Sequence, residues 1–235
     1  MPRSVVFEGL PRCEGCRYPH RWCICEGFRP VECALQVDVL IHHREFWRPT
    51  STGRLINRVM PSSRGHVFRH DLPLQRATIV RPDRALWILH PGGEPLAAAE
   101  VATSPSDLQV LLLDGSWREA ARMRQGVERW GRLVSLPLTG PSRYRLRDQQ
   151  GERKYSTVEA LLGLLEILGL AQTQAELRLQ FELHVYAGLR ARGEKAAAEA
   201  FLADSPAREA FPELLEKLNA RRRNERGSTG GVSTG

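Results

Sequence analysis

The sequence predicts an α/β domain with a mostly parallel sheet and flanking helices. Apolar runs typical of strands alternate along the chain with segments of helical periodicity, and this alternation favours parallel strands joined by helices. One run ends in four consecutive apolar residues at 110–113, as expected for a buried strand. The 235 residues are 42% hydrophobic and 26% charged, which suffices for one substantial core.

The pattern places strands at residues 35–41, 85–89, 108–113 and 133–138, with helices at 53–60, 116 to about 130, 157–168 and 176–192. The C-terminal third is predicted to be helical, with Pro206 and Pro212 at helix starts, where proline is tolerated. We expect three regions: a cysteine-rich head at 1–30, a main domain at 31–220, and a tail at 221–235. The Arg/Asn and Gly/Ser/Thr composition of the tail predicts disorder.

The segment Asp114-Gly115-Ser116-Trp117 follows the most apolar strand directly. Ser116 occupies a helix N-cap position, and Glu119 stands three residues later, as in a capping box. In open α/β sheets, ligands bind at the carboxyl ends of the strands. The segment therefore predicts either a ligand site or an ordinary capped turn in which Trp117 packs against the core.

The head carries Cys13-x-x-Cys16 and, after six intervening residues, Cys23-x-Cys25. Four thiols at this spacing favour a structural zinc site with no open coordination position. The alternatives are a redox-active dithiol and a metal site in which His20 replaces one thiolate. The fifth cysteine, Cys33, is expected to be a small core residue.

Three further segments lie at predicted strand ends or helix starts. The hydroxyl-rich helix starts predict either anion binding through free backbone N–H groups or simple N-capping. The Pro-Gly-Gly loop after the strand at 85–89 predicts a tight turn beneath a ligand, or only a turn. The residues concerned are Thr50, Ser51, Thr52 and Gly53; Leu89, His90 and Pro91; and Ser156, Thr157 and Glu159.

The net charge of +7 and the isoelectric point near 9.6 indicate a nucleic-acid partner, although an arginine-rich composition that reflects a GC-rich genome would have the same effect. Alternating Arg143, Arg145 and Arg147 would share one face of an extended segment around Tyr144, an arrangement suited to a phosphate backbone. An exposed loop is the alternative. No apolar run has the length of a membrane span and the N-terminus lacks a signal-peptide pattern, so we expect a cytoplasmic protein. No obligate protein partner is inferred.

In this order and spacing, the pieces resemble the DTW-domain family of tRNA-uridine aminocarboxypropyltransferases over residues 12–187. Ser116 replaces the threonine of the family's Asp-x-Thr-Trp signature, and Ser51 stands where the family usually carries asparagine. The resemblance rests on the cysteine head and on His42-x-x-Glu45, Thr52-Gly-Arg-Leu55, His90-Pro91, Asp114-Gly-Ser-Trp117, Tyr144-x-x-Arg147 and Ser156-Thr-x-Glu-Ala160.

The resemblance implies that S-adenosylmethionine donates its 3-amino-3-carboxypropyl group to N3 of a tRNA uridine, releasing 5′-methylthioadenosine. Because the family is related to the SPOUT methyltransferases, it also implies a knotted cofactor site. Asp114 is the candidate general base, unless it only bonds the N–H groups of its own turn, and Trp117 is a candidate stacking residue. The residues expected to bind the donor are Thr50, Ser51, Thr52, Gly53, Leu89, His90, Pro91, Asp114, Gly115, Ser116, Ser156, Thr157 and Glu159. Those expected to bind RNA are Arg143, Tyr144, Arg145 and Arg147.

Two other functions remain open at the level of sequence. A SPOUT-like RNA methyltransferase would use the same donor and transfer its methyl group. A non-catalytic zinc-containing RNA-binding protein would need no donor pocket, and thermal stabilisation by S-adenosylmethionine would distinguish it from the enzymes.

Overall fold

Five parallel strands form the central sheet of the computed structural model, which describes residues 11–96, 103–147 and 154–220. Their order across the sheet is β2-β1-β4-β3-β5, and every neighbouring pair is parallel, which confirms the predicted α/β class. The strands are β1 (Gln36–His42), β2 (Arg64–Phe68), β3 (Ala85–Pro95), β4 (Leu108–Asp114) and β5 (Arg132–Ser135).

Helices cover both faces of this sheet. The described helices are α1 (His43–Phe46), α2 (Thr52–Val59), α3 (Arg76–Ile79), α4 (Trp117–Val127), α5 (Thr157–Ile167), α6 (Ala171–Ala191), α7 (Lys195–Ala203), α8 (Ala207–Ala210) and α9 (Pro212–Asn219). On β4, Val110 and Leu112 belong to the larger core cluster, which includes apolar residues of α2, α5 and α6. Leu111 belongs to the smaller cluster on the other face, with Met123 and Val127 of α4. Since side chains alternate along a strand, Asp114 lies on the same face as Leu112.

Several predicted boundaries differ from the structure. The strand predicted at 133–138 ends at Ser135, two residues before Pro137, which has no N–H to continue the ladder. Strand β2 was not predicted, because it is an edge strand whose sequence, RGHVF, contains two strongly apolar residues. Helix α6 begins at Ala171, five residues before the predicted start, and α4 ends at Val127 rather than near residue 130.

The cysteine head packs against the C-terminal helices. Tyr18 and Ile24 are buried and belong to the larger core cluster. The Tyr18 hydroxyl donates to the His184 carbonyl at 3.0 Å, and the Gln180 side chain donates to the Gly27 carbonyl at 3.0 Å. The head is therefore fixed to α6 by burial and by hydrogen bonds.

The predicted tail at 221–235 lies outside the described residues. Among the helices of the described ranges, none combines the length and the apolar character needed to cross a membrane.

Candidate functional site

A cleft of about 630 Å³ opens at the carboxyl ends of β3, β4 and β5. Parallel α/β sheets bind ligands at this edge. The structure brings most of the predicted site residues together here, although they come from five separate segments of the sequence. Those that line the cleft are Thr50, Thr52, Leu89, His90, Pro91, Asp114, Gly115, Ser116, Trp117, Tyr144, Arg147, Ser156 and Thr157.

The Asp114 carboxylate joins three of these segments. It is 5% exposed, and it accepts a hydrogen bond from the Ser51 hydroxyl at 2.7 Å and another from the Thr157 hydroxyl at 2.6 Å. Ser51 caps α2 and Thr157 begins α5, so two helix N-termini meet at this carboxylate, where their dipoles favour negative charge. The contacts observed for Asp114 thus run to two other segments and not to its own turn.

Ser51 and Gly53 contact Asp114 but do not line the cleft. The Ser51 hydroxyl also accepts from the Arg54 backbone N–H at 3.1 Å, as an N-cap does. A β-carbon on Gly53 would lie 2.7 Å from Cβ and Cγ of Asp114, closer than atoms can pack. Glycine at position 53 therefore permits the close approach of α2 to the end of β4.

Capping boxes close the predicted helix starts at Ser116 and Ser156. Ser116 pairs with Glu119, and Ser156 pairs with Glu159. Glu159 also accepts from the Ser142 hydroxyl at 2.9 Å and from the Arg143 backbone N–H at 2.6 Å. Glu159 is absent from the cleft lining and instead holds the preceding loop against α5.

A bulge in β3 carries His90 and Pro91 to the cleft. Leu89 and Glu94 both pair with Val134 of β5, so residues 90–93 project from the ladder. The His90 Nδ1 accepts from the Gly92 N–H at 3.0 Å, which places the ring proton on Nε2 when the ring is neutral. Burial, together with Arg124, lowers the pKa of His90 and favours that neutral form.

Arg143, Arg145 and Arg147 alternate with the buried Tyr144 and Leu146, but two of the three arginines are half-buried and form ion pairs. Arg143 pairs with Glu182 at 3.1 Å and with Asp204 at 2.9 Å, and Arg147 pairs with Glu45. Glu45 and Glu182 are each about 1% exposed, and a buried carboxylate requires a charged or hydrogen-bonded partner. These carboxylates draw two of the arginines inward, and Arg145 remains exposed.

Tyr144 is likewise internal. It is 5% exposed, and its hydroxyl donates to the Thr50 carbonyl at 2.6 Å. Burial raises the pKa of Tyr144 to about 12, so the hydroxyl keeps its proton and remains a donor. Tyr144 and Arg147 therefore fix the segment around Thr50 at the wall of the cleft.

Several residues that line the cleft were not predicted from the sequence. Arg48 belongs to the loop after α1, and its partner Glu45 lies three residues earlier, a spacing that was visible in the sequence. Lys154 lies 5.9 Å from the Trp117 ring centre at the rim, and Trp117 is 42% exposed. The remaining wall residues that were not predicted are apolar, aromatic or small, and only Ala160 belongs to a motif named above: Leu112, Leu113, Ala120, Val134, Ser135, Leu136, Pro137, Leu138, Tyr155 and Ala160.

The four head cysteines converge as a candidate metal centre. Their sulfur atoms all lie within 4.8 Å of one another, with Cys13 and Cys25 at 3.4 Å and Cys16 and Cys23 at 3.8 Å. A tetrahedral zinc with Zn–S bonds of about 2.3 Å separates its sulfur ligands by roughly 3.8 Å, which these positions approximate. His20 is not part of this group.

The thiols of the cysteine cluster differ in how readily they ionise. Burial raises the pKa of Cys23 and of Cys25. Burial alone would raise the pKa of Cys13 as well, but hydrogen bonds from the Cys16 backbone and the Cys25 side chain lower it to about 6. Arg58 donates to the Cys25 sulfur at 3.4 Å, a contact that favours a thiolate. Four soft ligands, one of them readily ionised, fit a zinc ion.

Comparison with known proteins identifies the family of this chain. The DTW domain matches residues 10–188, well over half of the chain. The chain is also 27% identical over 179 residues to tRNA-uridine aminocarboxypropyltransferase 2 of Drosophila melanogaster, covering 71% of this chain and 69% of that protein. No solved structure matches the chain. Because the matched segment includes the cysteine cluster, Asp114 and the α5 start, this chain belongs to the DTW-domain family.

Proposed function

We propose that this protein modifies tRNA by transferring the 3-amino-3-carboxypropyl group of S-adenosylmethionine to N3 of a uridine. The observation that carries the proposal is the Asp114 carboxylate, held in a cleft by hydroxyls from two helix starts. The similarity to a protein named tRNA-uridine aminocarboxypropyltransferase 2 supports the same reaction. A knotted arrangement of the donor-binding segments belongs to this proposal as well.

The cleft has the size and lining that a nucleoside-containing donor requires. Small-molecule sites in proteins usually measure about 300–1,000 Å³ and combine apolar walls with few polar groups. Here Leu89, Val134 and Leu136 supply apolar surface for an adenosine, and the His90 ring supplies one N–H donor. The predicted donor-binding residues that line this cleft are assigned that role, and Ser51, Gly53 and Glu159 are assigned the role of positioning them.

Asp114 is proposed as the general base. A carboxylate can accept about four hydrogen bonds, and the two hydroxyls occupy two of those sites, so Asp114 retains capacity toward the cleft. When bound, S-adenosylmethionine supplies an electrophilic carbon with a sulfonium leaving group. Asp114 takes the N3 proton, a nitrogen–carbon bond forms, and the carbon–sulfur bond breaks with its electron pair going to sulfur. The products are the modified uridine and 5′-methylthioadenosine.

Trp117 and Arg145 are proposed to contact the RNA. Trp117 lies exposed at the rim, where its indole would stack on the target uridine and hold N3 toward Asp114. Arg145 is exposed and suited to a phosphate. Arg143, Tyr144 and Arg147 are proposed to act indirectly, by fixing the loop that carries Arg145 and the wall at Thr50.

We also propose that Cys13, Cys16, Cys23 and Cys25 hold a structural zinc ion. With four protein ligands the ion has no open position for substrate. Its role would be to order the head, which packs on α6 and contributes to the core. Zinc would thereby stabilise the fold, without taking part in the transfer.

Nucleoside mass spectrometry tests the reaction. Unmodified tRNA is incubated with the purified chain and S-adenosylmethionine, digested, and analysed together with the small-molecule products. A uridine carrying the aminocarboxypropyl group, with methylthioadenosine released, is the expected result. A methylated base with S-adenosylhomocysteine would identify an RNA methyltransferase instead. Donor binding without any modified nucleoside in a full tRNA pool would contradict the proposal for tRNA.

A further inference from the structure

A strip of aromatic and arginine side chains, exposed at Trp47 and half-buried elsewhere, includes a residue next in sequence to one that lines the cleft. It consists of Arg17, Trp47, Phe46 and Arg54, and we call it the aromatic–arginine strip. Trp47 is 66% exposed, the highest value among the described large apolar side chains. The Arg17 guanidinium lies 5.2 Å from the Trp47 ring centre, the Phe46 ring meets Trp47 edge-on at 5.0 Å, and Arg54 lies 5.8 Å from Phe46.

The strip borders the proposed active site directly. Arg48, the residue after Trp47, and Thr50 both line the cleft. Arg54 lies in the first turn of α2, whose N-cap Ser51 bonds the Asp114 carboxylate. Trp47 therefore adjoins a residue of the cleft wall.

The arginines of the strip have no acidic partner among the described residues. The ion pairs found there bind Arg48, Arg143 and Arg147 to carboxylates, but neither Arg17 nor Arg54. Burial, and next the charges of Arg17 and Arg58, lower the pKa of Arg54, which shows that like charges are crowded here. Arg58 differs, since it donates to the Cys25 sulfur. Two guanidinium groups that pair with no carboxylate of the described residues are available to bind a polyanion.

The backbone at Arg17 adds an independent observation. Arg17 has a φ of 65°, and within the described ranges it is the only residue other than glycine with a positive φ. A left-handed conformation costs free energy for a residue with a β-carbon, and glycine would adopt it freely. The Arg17 Nε is also buried without a hydrogen-bond partner. An arginine at this strained position points to a role for its side chain over Trp47.

From these observations we infer that the strip binds an unpaired nucleotide of the RNA substrate, one that flanks the target uridine. The identity of that RNA rests on the proposed function. N3 lies on the Watson–Crick edge of uridine, so it is accessible only when the base is unpaired, and its neighbours are then commonly unpaired too. A neighbouring base stacks on Trp47, while Arg17 and Arg54 contact its phosphates.

Equilibrium binding to unmodified tRNA tests this inference. Fluorescence anisotropy is measured with the full chain and with Trp47→Ala, Trp47→Phe and Arg17→Gly. Since base stacking on an aromatic side chain contributes strongly, we expect about ten-fold weaker binding for Trp47→Ala and substantial recovery for Trp47→Phe. Arg17→Gly should bind about three- to ten-fold more weakly and show a smaller salt dependence, without a lower thermal midpoint, because glycine relieves the left-handed strain.

Two variants serve as matched controls. Leu72→Ala removes another exposed apolar side chain, which is 58% exposed, and Arg76→Ala removes one exposed positive charge on α3. Neither residue lines the cleft, and both control variants should bind tRNA with the affinity of the wild-type protein. Equal losses in the controls, or unchanged affinity in both Trp47→Ala and Arg17→Gly, would overturn the inference.

The outcome for the strip is separable from the outcome for the transfer reaction. If the strip variants lose affinity for tRNA but mass spectrometry finds no modified uridine, the result supports nucleotide binding by the strip and contradicts the proposed reaction. If the modified uridine forms and Trp47→Ala retains the full kcat/KM and affinity, the result supports the proposed reaction and contradicts nucleotide binding by the strip. Absence of tRNA binding by the unmodified chain would overturn the strip.

Discussion

Replacing Thr157 with valine isolates one contact of the Asp114 carboxylate. The two side chains have nearly the same shape, and Ser156, not Thr157, is the N-cap of α5, so the substitution removes the 2.6 Å hydrogen bond alone. A hydrogen bond to a charged group contributes about 1.5–3 kcal/mol, and Asp114 is 5% exposed, so water replaces the hydroxyl poorly. We expect the free energy of unfolding to fall by about 2 kcal/mol, which for a chain of this size lowers the Tm by roughly 4–8 °C.

Urea unfolding followed by tryptophan fluorescence measures this change. Thr78→Val is the matched control, because the Thr78 hydroxyl donates to the neutral Gln75 carbonyl on an exposed helix, and its loss should change the free energy by less than about 0.5 kcal/mol. Ser51→Ala should cost more, about 3 kcal/mol, since Ser51 bonds Asp114 and also caps α2. If Thr157→Val unfolds like the control, Asp114 does not hold α5 to the sheet.

Three further results are expected. Elemental analysis of the purified chain should find one zinc ion, and Cys16→Ser should abolish it; an unchanged zinc content would exclude the cysteine cluster as its site. Burial lowers the pKa of His184 from 6.5 to about 3, so below pH 6.5 the unfolded chain binds a proton there that the folded chain does not. The free energy of unfolding should therefore fall by up to about 1.4 kcal/mol per pH unit as the pH drops below 6.5. Urea titrations of His184→Gln should show a shallower dependence on pH. Gly53→Ala should lose about 1–3 kcal/mol in the same assay, because its β-carbon would meet Asp114 at 2.7 Å; equal or greater stability would show that α2 shifts freely.

The parts of the site that could be predicted depend on local sequence. The capping box of Ser116 and Glu119 was predicted from residues three positions apart and is present in the structure, and the predicted cap at Ser156 forms a second box with Glu159 at the same spacing. The end of β4 and the turn at Asp114 follow from an apolar run that stops at an acid and a glycine. These signals require only neighbouring residues, so a single sequence contains all the information they need.

The contacts that assemble the site are long-range, and the sequence pattern does not contain them. Ser51 and Asp114 are 63 residues apart, and Thr157 and Asp114 are 43 apart. The same limit explains why the ion pairs of the arginine segment were not predicted. Arg147 and Glu45 are separated by 102 residues, and whether an arginine is paired depends on which carboxylates the fold buries beside it.

The two roles assigned to Asp114, joining the helices and accepting a proton, can be separated by comparing Asp114→Asn with Thr157→Val. An asparagine amide can still accept from one hydroxyl and donate to the other, since hydroxyls act in both directions, so the helices should remain joined. The amide cannot take a proton, and loss of a general base slows reactions by about 10²–10⁴-fold. Asp114→Asn should therefore bind the donor and transfer at least about 100-fold more slowly, whereas Thr157→Val, assayed well below its Tm, should stay within about ten-fold of the native rate. Transfer at the native rate by Asp114→Asn would show that the carboxylate joins the helices without serving as the base.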